Sequence, residues 1–138
     1  MNYWLIKSEP FKWAWQMQME AGEKGTFWDG VRNHLAKQNL MKMRHGDQAF
    51  FYHSNEGKEI VGIVEVIREY YPDPTAAPGE PWVVVDFRAL KPLARPVSLA
   101  QVKATPELAA MALVTSMRLS VQPVTAPEWE IIEQMGAA

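Results

Sequence analysis

Cysteine is absent, so the chain can form neither a disulfide nor a thiolate metal site. Histidine is scarce. His34, His45 and His53 are the three present, and no two of them stand at a metal-binding spacing. The eight glycines are scattered and build no phosphate-cradling loop. Ser8, Ser54 and Ser120 lack the context of a nucleophile elbow. The paired carboxylates Glu128 and Glu130 sit where a helix starts and read as solvated. No apolar run is long enough to span a bilayer, and the N-terminus lacks a signal peptide's basic start and apolar core. These absences leave no motif for catalysis, no metal, no cofactor and no membrane partner. They fit a reducing compartment, and the expected location is the cytoplasm. Excess positive charge is missing too. A formal net charge of −2 argues against tight, non-specific binding to duplex phosphates.

What is present suits a folded protein. The chain has 138 residues, 48% of them hydrophobic and 22% charged, as expected for a single compact domain over residues 1–138. Tyr3 to Ile6 reads as a first strand, ended near Ser8 by Pro10. Residues 11–20 carry helix formers and two tryptophans, Trp13 and Trp15, and read as one short helix broken by Gly22 and Gly25. Helical spacing of Leu35, Ala36, Asn39, Leu40 and Met43 predicts a helix over 33–44, with Gly46 as C-cap. A hairpin follows: a strand at 49–53, turn chemistry at 54–58, and a central β-branched strand over 60–69. Gly62 inside that strand predicts a bulge or a close backbone approach. Residues 71–81 read as a loop and 82–90 as a strand. The proline-bearing segment 91–96 should turn the chain. Ser98 and Thr125 open capping boxes, Thr105-Pro106 opens another short helix, and 118–124 alternates as a last strand. About five or six strands interrupted by helices, without regular alternation, predict an α+β domain. A small curled or closed sheet would protect the strand edges.

The chemistry-bearing stretch is Thr26 to Asn33. Trp28 stands there beside Asp29, Gly30, Arg32 and Asn33, just ahead of a helix. A lone tryptophan is most simply a core anchor. This one has polar company that reads planar, polar edges. Lys7 and Ser8 end the first strand, Tyr52, His53, Ser54 and Asn55 end another, and Arg118 and Ser120 lie on the last. Strand ends meeting at one mouth would make an aromatic pocket with hydroxyl, amide and cationic rims, suited to a flat heterocycle. Trp28, Ser8, Asn33, Tyr52, Ser54 and Asn55 are then the base-pocket residues. Lys7, Arg32, His53, Arg118 and Ser120 are the rim or phosphate contacts.

At these residues the chain resembles the EVE-domain family. The matching runs are residues 3–10, Trp28 to Asn33, Phe50 to Asn55, Tyr71 to Pro74 and Arg118 to Pro123, in the family's order and spread over nearly the whole chain. The resemblance implies a PUA-like mixed β-barrel flanked by short helices, and recognition of nucleic acid through a modified base. The YTH domain, a reader of methylated adenine in RNA, is similar in layout. It too has a strand ending in Lys-Ser followed by a cage tryptophan, which supports Lys7, Ser8 and Trp28. Two departures stand out. His34-Leu35-Ala36-Lys37 replaces the usual Tyr-Gln-Ala-Arg, removing a polar contact at Leu35. Lys12-Trp13-Ala14-Trp15 replaces a Ser-Trp-Asp pattern and leaves Tyr52, Trp13 and Trp82 as alternatives for the second cage wall.

The expected function is a non-catalytic reader of a modified base in DNA or RNA: methylated or hydroxymethylated cytosine, or methylated adenine. A separate effector protein would act on the signal. The alternative is an enzyme of RNA or modified-nucleotide metabolism using the same pocket, with Asp29, His53 and Glu9 as its titratable candidates. A third reading is a small-molecule or protein-interaction module whose aromatics are core.

Overall fold

The structure, a computed structural model, describes residues 1–137. Its centre is a six-stranded mixed sheet in the order β2-β5-β4-β3-β1-β6. The strands are β1 (Tyr3–Ser8), β2 (Thr26–Phe27), β3 (Gln48–His53), β4 (Glu59–Pro72), β5 (Val83–Ser98) and β6 (Val121–Val124). β1 runs parallel to β3, and every other pairing is antiparallel. Five α-helices accompany it: α1 (Trp15–Glu20), α2 (His34–Lys42), α3 (Leu99–Lys103), α4 (Ala112–Thr115) and α5 (Ala126–Met135).

The α+β class is as expected, but the closed barrel is not. β2 and β6 are the two edges of the sheet and do not pair with each other. β2 contributes two residues, too few to carry a closing ladder. Instead α2 packs against β4, β5 and β6, so a helix rather than hydrogen-bonded strands spans the gap.

Both faces of the sheet are buried. On one face Trp4, Ile6, Phe51, Val64, Val85 and Phe87 form a core with Trp15, Trp28 and the inner side of α2. On the other, Leu5, Phe50, Tyr52, Ile63 and Val97 pack against α3 and α5. The period-two alternation of strand side chains sends Phe51 one way and Phe50 and Tyr52 the other. Trp129 of α5 stacks on Phe50, with ring centroids 3.8 Å apart, and on Tyr3 at 4.4 Å. Helix α5 begins with the expected capping box: Thr125 Oγ1 accepts from Glu128 N, and the Glu128 carboxylate accepts from Thr125 N.

Other boundaries moved. β4 and β5 are far longer than their periodic cores, and β5 runs straight through Pro92 and Pro96 where a turn was expected. The β4–β5 register breaks between Ile60 and Gly62 and again between Ile63 and Val64. A proline costs little where the ladder is already interrupted. Helix α2 ends at Lys42 with extended Met43 as its cap, so Gly46 belongs to the following turn. Thr105 does not cap the 3₁₀ turn at Pro106–Leu108. Its hydroxyl donates to Gln101 O of the preceding turn instead. β2, absent from the sequence reading, is an apolar–polar pair too short to show periodicity.

Gly62 is both a bulge site and a close approach. The β3–β4 register shifts beside it, and a Cβ there would collide with the Cζ2, Cη2 and Cε2 atoms of the Trp15 indole. Trp15 can lie flat on the sheet because Gly62 has no side chain. Gly62→Ala should therefore destabilise the fold by about 1–3 kcal/mol, the usual cost of overpacking. Urea denaturation measures it, and an unchanged midpoint would show that Trp15 moves aside freely.

Candidate functional site

The ends of four strands meet on one side of the molecule. Lys7 N donates to Ser120 O at 2.9 Å, Ser54 N donates to Ser8 O at 2.9 Å, and Trp28 N donates to Val85 O at 2.9 Å. These backbone bonds gather the end of β1, the turn after β3, the segment after β2 and the approach to β6 around a cavity of about 770 Å³. Trp13 and Trp28 line it, with Lys7, Ser8, Lys12, Ser54, Arg118 and Ser120 among the polar lining residues. The volume lies within the range of small-ligand sites.

Each aromatic wall is held from behind. Trp28 is 8% exposed and packs edge-on against Phe51 and Phe87, at 5.6 and 5.8 Å between centroids. It is at once a core residue and a cavity wall, so the two readings of this tryptophan are not exclusive. Trp13 is half-buried. Its indole Nε1 donates to Gln18 Oε1 at 2.8 Å, and Gln18 Nε2 donates to the Phe87 carbonyl at 3.1 Å. Gln18 is wholly buried and ties the Trp13 ring to the sheet. Ser8 Oγ donates to the Trp13 carbonyl at 2.5 Å and fixes the same segment from below.

The loop after Trp28 hangs on one carboxylate. Asp73, its side chain wholly buried, accepts from Gly30 N at 3.2 Å, Arg32 Nη1 at 3.0 Å, Thr75 N at 2.7 Å and Thr75 Oγ1 at 2.6 Å. Burial pushes its pKa up, but the bonds from Thr75, Arg32 and Gly30 outweigh that and hold it below the ordinary value. Gly30 adopts φ +79°, a left-handed turn that aims its N–H at Asp73.

The cationic rim is partly desolvated. Lys7 Nζ donates to the Met117 carbonyl at 2.5 Å, and burial lowers its pKa.

Of the eleven residues singled out from sequence, Trp28, Ser8, Ser54, Lys7, Arg118 and Ser120 line the cavity. The other five do not. Tyr52 points into the opposite core because it alternates with Phe51. Asn33 caps α2, its Oδ1 accepting from Ala36 N. Arg32 is committed to Asp73. Asn55 occupies a left-handed turn position, with φ +65°. His53 Nε2 accepts from Trp15 N at 3.0 Å. Trp82, the other wall alternative, lies beside His34 and Arg32 instead. Sequence reasoning missed Lys12, Thr26, Phe27 and Met117 as lining residues, and Gln18 and Asp73 as their supports. A lone glutamine in a short helix and an aspartate in a proline-rich loop give no local signal of such roles.

The chain is similar to known proteins over almost its whole length. The family model described as the EVE domain matches residues 2–135. Thymocyte nuclear protein 1 of Rattus norvegicus is 35% identical over 95% of this chain and 72% of that protein. A crystal structure of a protein from Agrobacterium tumefaciens is 56% identical, with a TM-score of 0.97, covering 99% of this chain and 93% of the other. A crystal structure of human THYN1 protein in complex with 5-methylcytosine-containing DNA is 30% identical. It superposes with a TM-score of 0.91 over 100% of this chain and 99% of the other. A YTH domain, at 15% identity and a TM-score of 0.62, shares the fold alone. The rat relative is named a nuclear protein, which overturns the expectation of a cytoplasmic location. The absence of cysteine does not distinguish a nucleus from a cytoplasm, since both are reducing.

Two measurements follow from this geometry. Removing Asp73 as Asp73→Ala strands the Gly30 and Thr75 donors, and stability should fall by about 1–3 kcal/mol in urea. No loss would mean the loop needs no such anchor. His53 accepts a proton donor at Nε2, and burial lowers its pKa, partly offset by Glu59. Its contribution to stability is therefore complete above the unfolded value of about 6.5 and is lost as pH falls through the lower folded value. Between pH 7.5 and 5, about the window where histidine titrates, the wild type should lose more stability than His53→Gln. Parallel pH profiles would contradict the assignment.

Proposed function

The chain belongs to the EVE-domain family, and on that premise we propose that it is a non-catalytic reader of modified cytosine in DNA. The cavity carries the reading. Two tryptophans wall it, hydroxyls of Ser8 and Ser54 line it, and Lys7, Lys12 and Arg118 stand around it. An aromatic wall binds any base by its face, at about 1–3 kcal/mol per stacked base. Hydroxyls and backbone groups then discriminate the base edge, while cations take the phosphates. A methyl group on cytosine adds apolar area that the tryptophan faces can cover. The human relative crystallised with 5-methylcytosine-containing DNA supports cytosine over adenine as the base.

A base inside a duplex is out of reach of such a cavity, so the base enters unstacked, from a single strand or flipped from a double one. RNA carrying the same base belongs to the proposal as a second partner class. So does a separate effector protein, since a reader without chemistry passes its signal on by association. Net charge of −2 keeps the phosphate contribution small and the affinity modest.

The test is a titration of DNA and RNA oligonucleotides with 5-methylcytosine, 5-hydroxymethylcytosine, N6-methyladenine or no modification, at low and moderate salt. Methylated cytosine should bind best. Trp13→Ala should weaken that binding by about 1–3 kcal/mol with little loss of fold stability, because the ring is half-exposed. Trp28→Ala should lose binding and, in addition, about 3–5 kcal/mol of stability, and Trp4→Ala, made as a structural control, should lose about the same stability. Equal, weak binding across the panel would remove the modified-base reading.

A further inference from the structure

Resting on the base-reading proposal, we propose that Phe11 is the wedge that enters a DNA duplex as the read base leaves its stack. Phe11 is 66% exposed, unlike the other phenylalanines of the chain, which are wholly buried apart from Phe27 at 39%. It is not on a loose tail. The N–H groups of Lys12 and Trp13 both bond to the Glu9 carbonyl, at 2.9 and 3.0 Å, so residues 9–13 form a tight turn directly after β1. Pro10 stiffens that turn further. The turn belongs to the cavity: Glu9, Lys12 and Trp13 all line it. Phe11 is thus held out into solvent at the cavity's edge by the same segment that supplies one aromatic wall.

The surroundings fit a duplex. Met117, 56% exposed, adds a second apolar side chain among the lining residues. Lys7, Lys12 and Arg118 face Glu9 and Asp29 there, and Glu9 is 3.8 Å from Lys12. The cavity edge is therefore more positive than the protein as a whole, which carries net negative charge. A free nucleotide or a single strand needs only the tryptophan walls. A duplex must also fill the gap that the extruded base leaves, and exposed Phe or Met side chains beside cations do that in proteins that unstack DNA. In the free protein the ring meets Lys12 Nζ at 6.0 Å and stays largely in water, and the wedge gives such an apolar ring on a stiffened turn a reason.

The experiment compares two probes, a single strand and a duplex, each with one central 5-methylcytosine. Phe11→Ala touches no core residue, so the variant should fold as the wild type does. It should weaken duplex binding about tenfold or more while leaving single-strand binding within about twofold. Phe11→Leu, still apolar, should restore most of the duplex affinity. A 2-aminopurine beside the methylated base should brighten on binding wild type and stay dim with Phe11→Ala. Equal loss on both probes, or no loss on the duplex, would overturn the wedge while leaving base reading intact. A wild type that does not prefer the methylated single strand to the unmodified one would overturn base reading, and the wedge with it.

Discussion

A single buried carboxylate holds the loop that follows Trp28. Asp73 sits at the far end of the long hairpin of β4 and β5 and accepts four hydrogen bonds at once. Two of them come from the stretch that follows Trp28. A carboxylate taken out of water is costly unless its lone pairs are satisfied. Here the satisfaction comes from Gly30, Arg32 and Thr75, so the loop and the hairpin tip are locked to each other. Trp28 inherits its place from that lock on one side and from its bond to Val85 on the other. The arginine that looked like a ligand contact is spent on building the wall.

The same economy runs through the site. His53, Asn33 and Gln18 are polar, and each has its side chain committed to backbone or to a neighbouring ring. What remains for a ligand is a short set: the faces of two indoles, the hydroxyls of Ser54 and Ser120, and the cations at the edge. A cavity so furnished discriminates by shape and apolar area first and by hydrogen bonding second, which suits a methyl mark on a flat base. The sheet makes this possible because both of its faces are packed. With Phe50, Tyr52 and Trp129 closing one core, the other face can leave room beside Trp28 without losing the fold.

Local pattern determined much of this protein. Helix caps at Ser98 and Thr125, the hairpin of β3 and β4, the special status of Gly62 and the importance of Trp28 all follow from residues within a few positions of one another. Caps, turns and alternation are short-range physics, and a short window contains them. The ordered motifs that mark the family are local as well. Tertiary structure alone decided what depends on distant partners. Whether the sheet closes turns on α2 filling the gap between β5 and β6. Whether Pro92 and Pro96 break β5 turns on where β4 has its bulges. Which tryptophan is the second wall turns on Gln18 reaching Phe87, a partner far along the chain. Tyr52 and Phe51 are adjacent aromatics of similar character, and only the strand's orientation in the finished sheet sends one to the cavity side and the other away. Sequence sets which residues can bind a base; the long-range hydrogen bonds and the facing of the sheet select which of them are left free to do it.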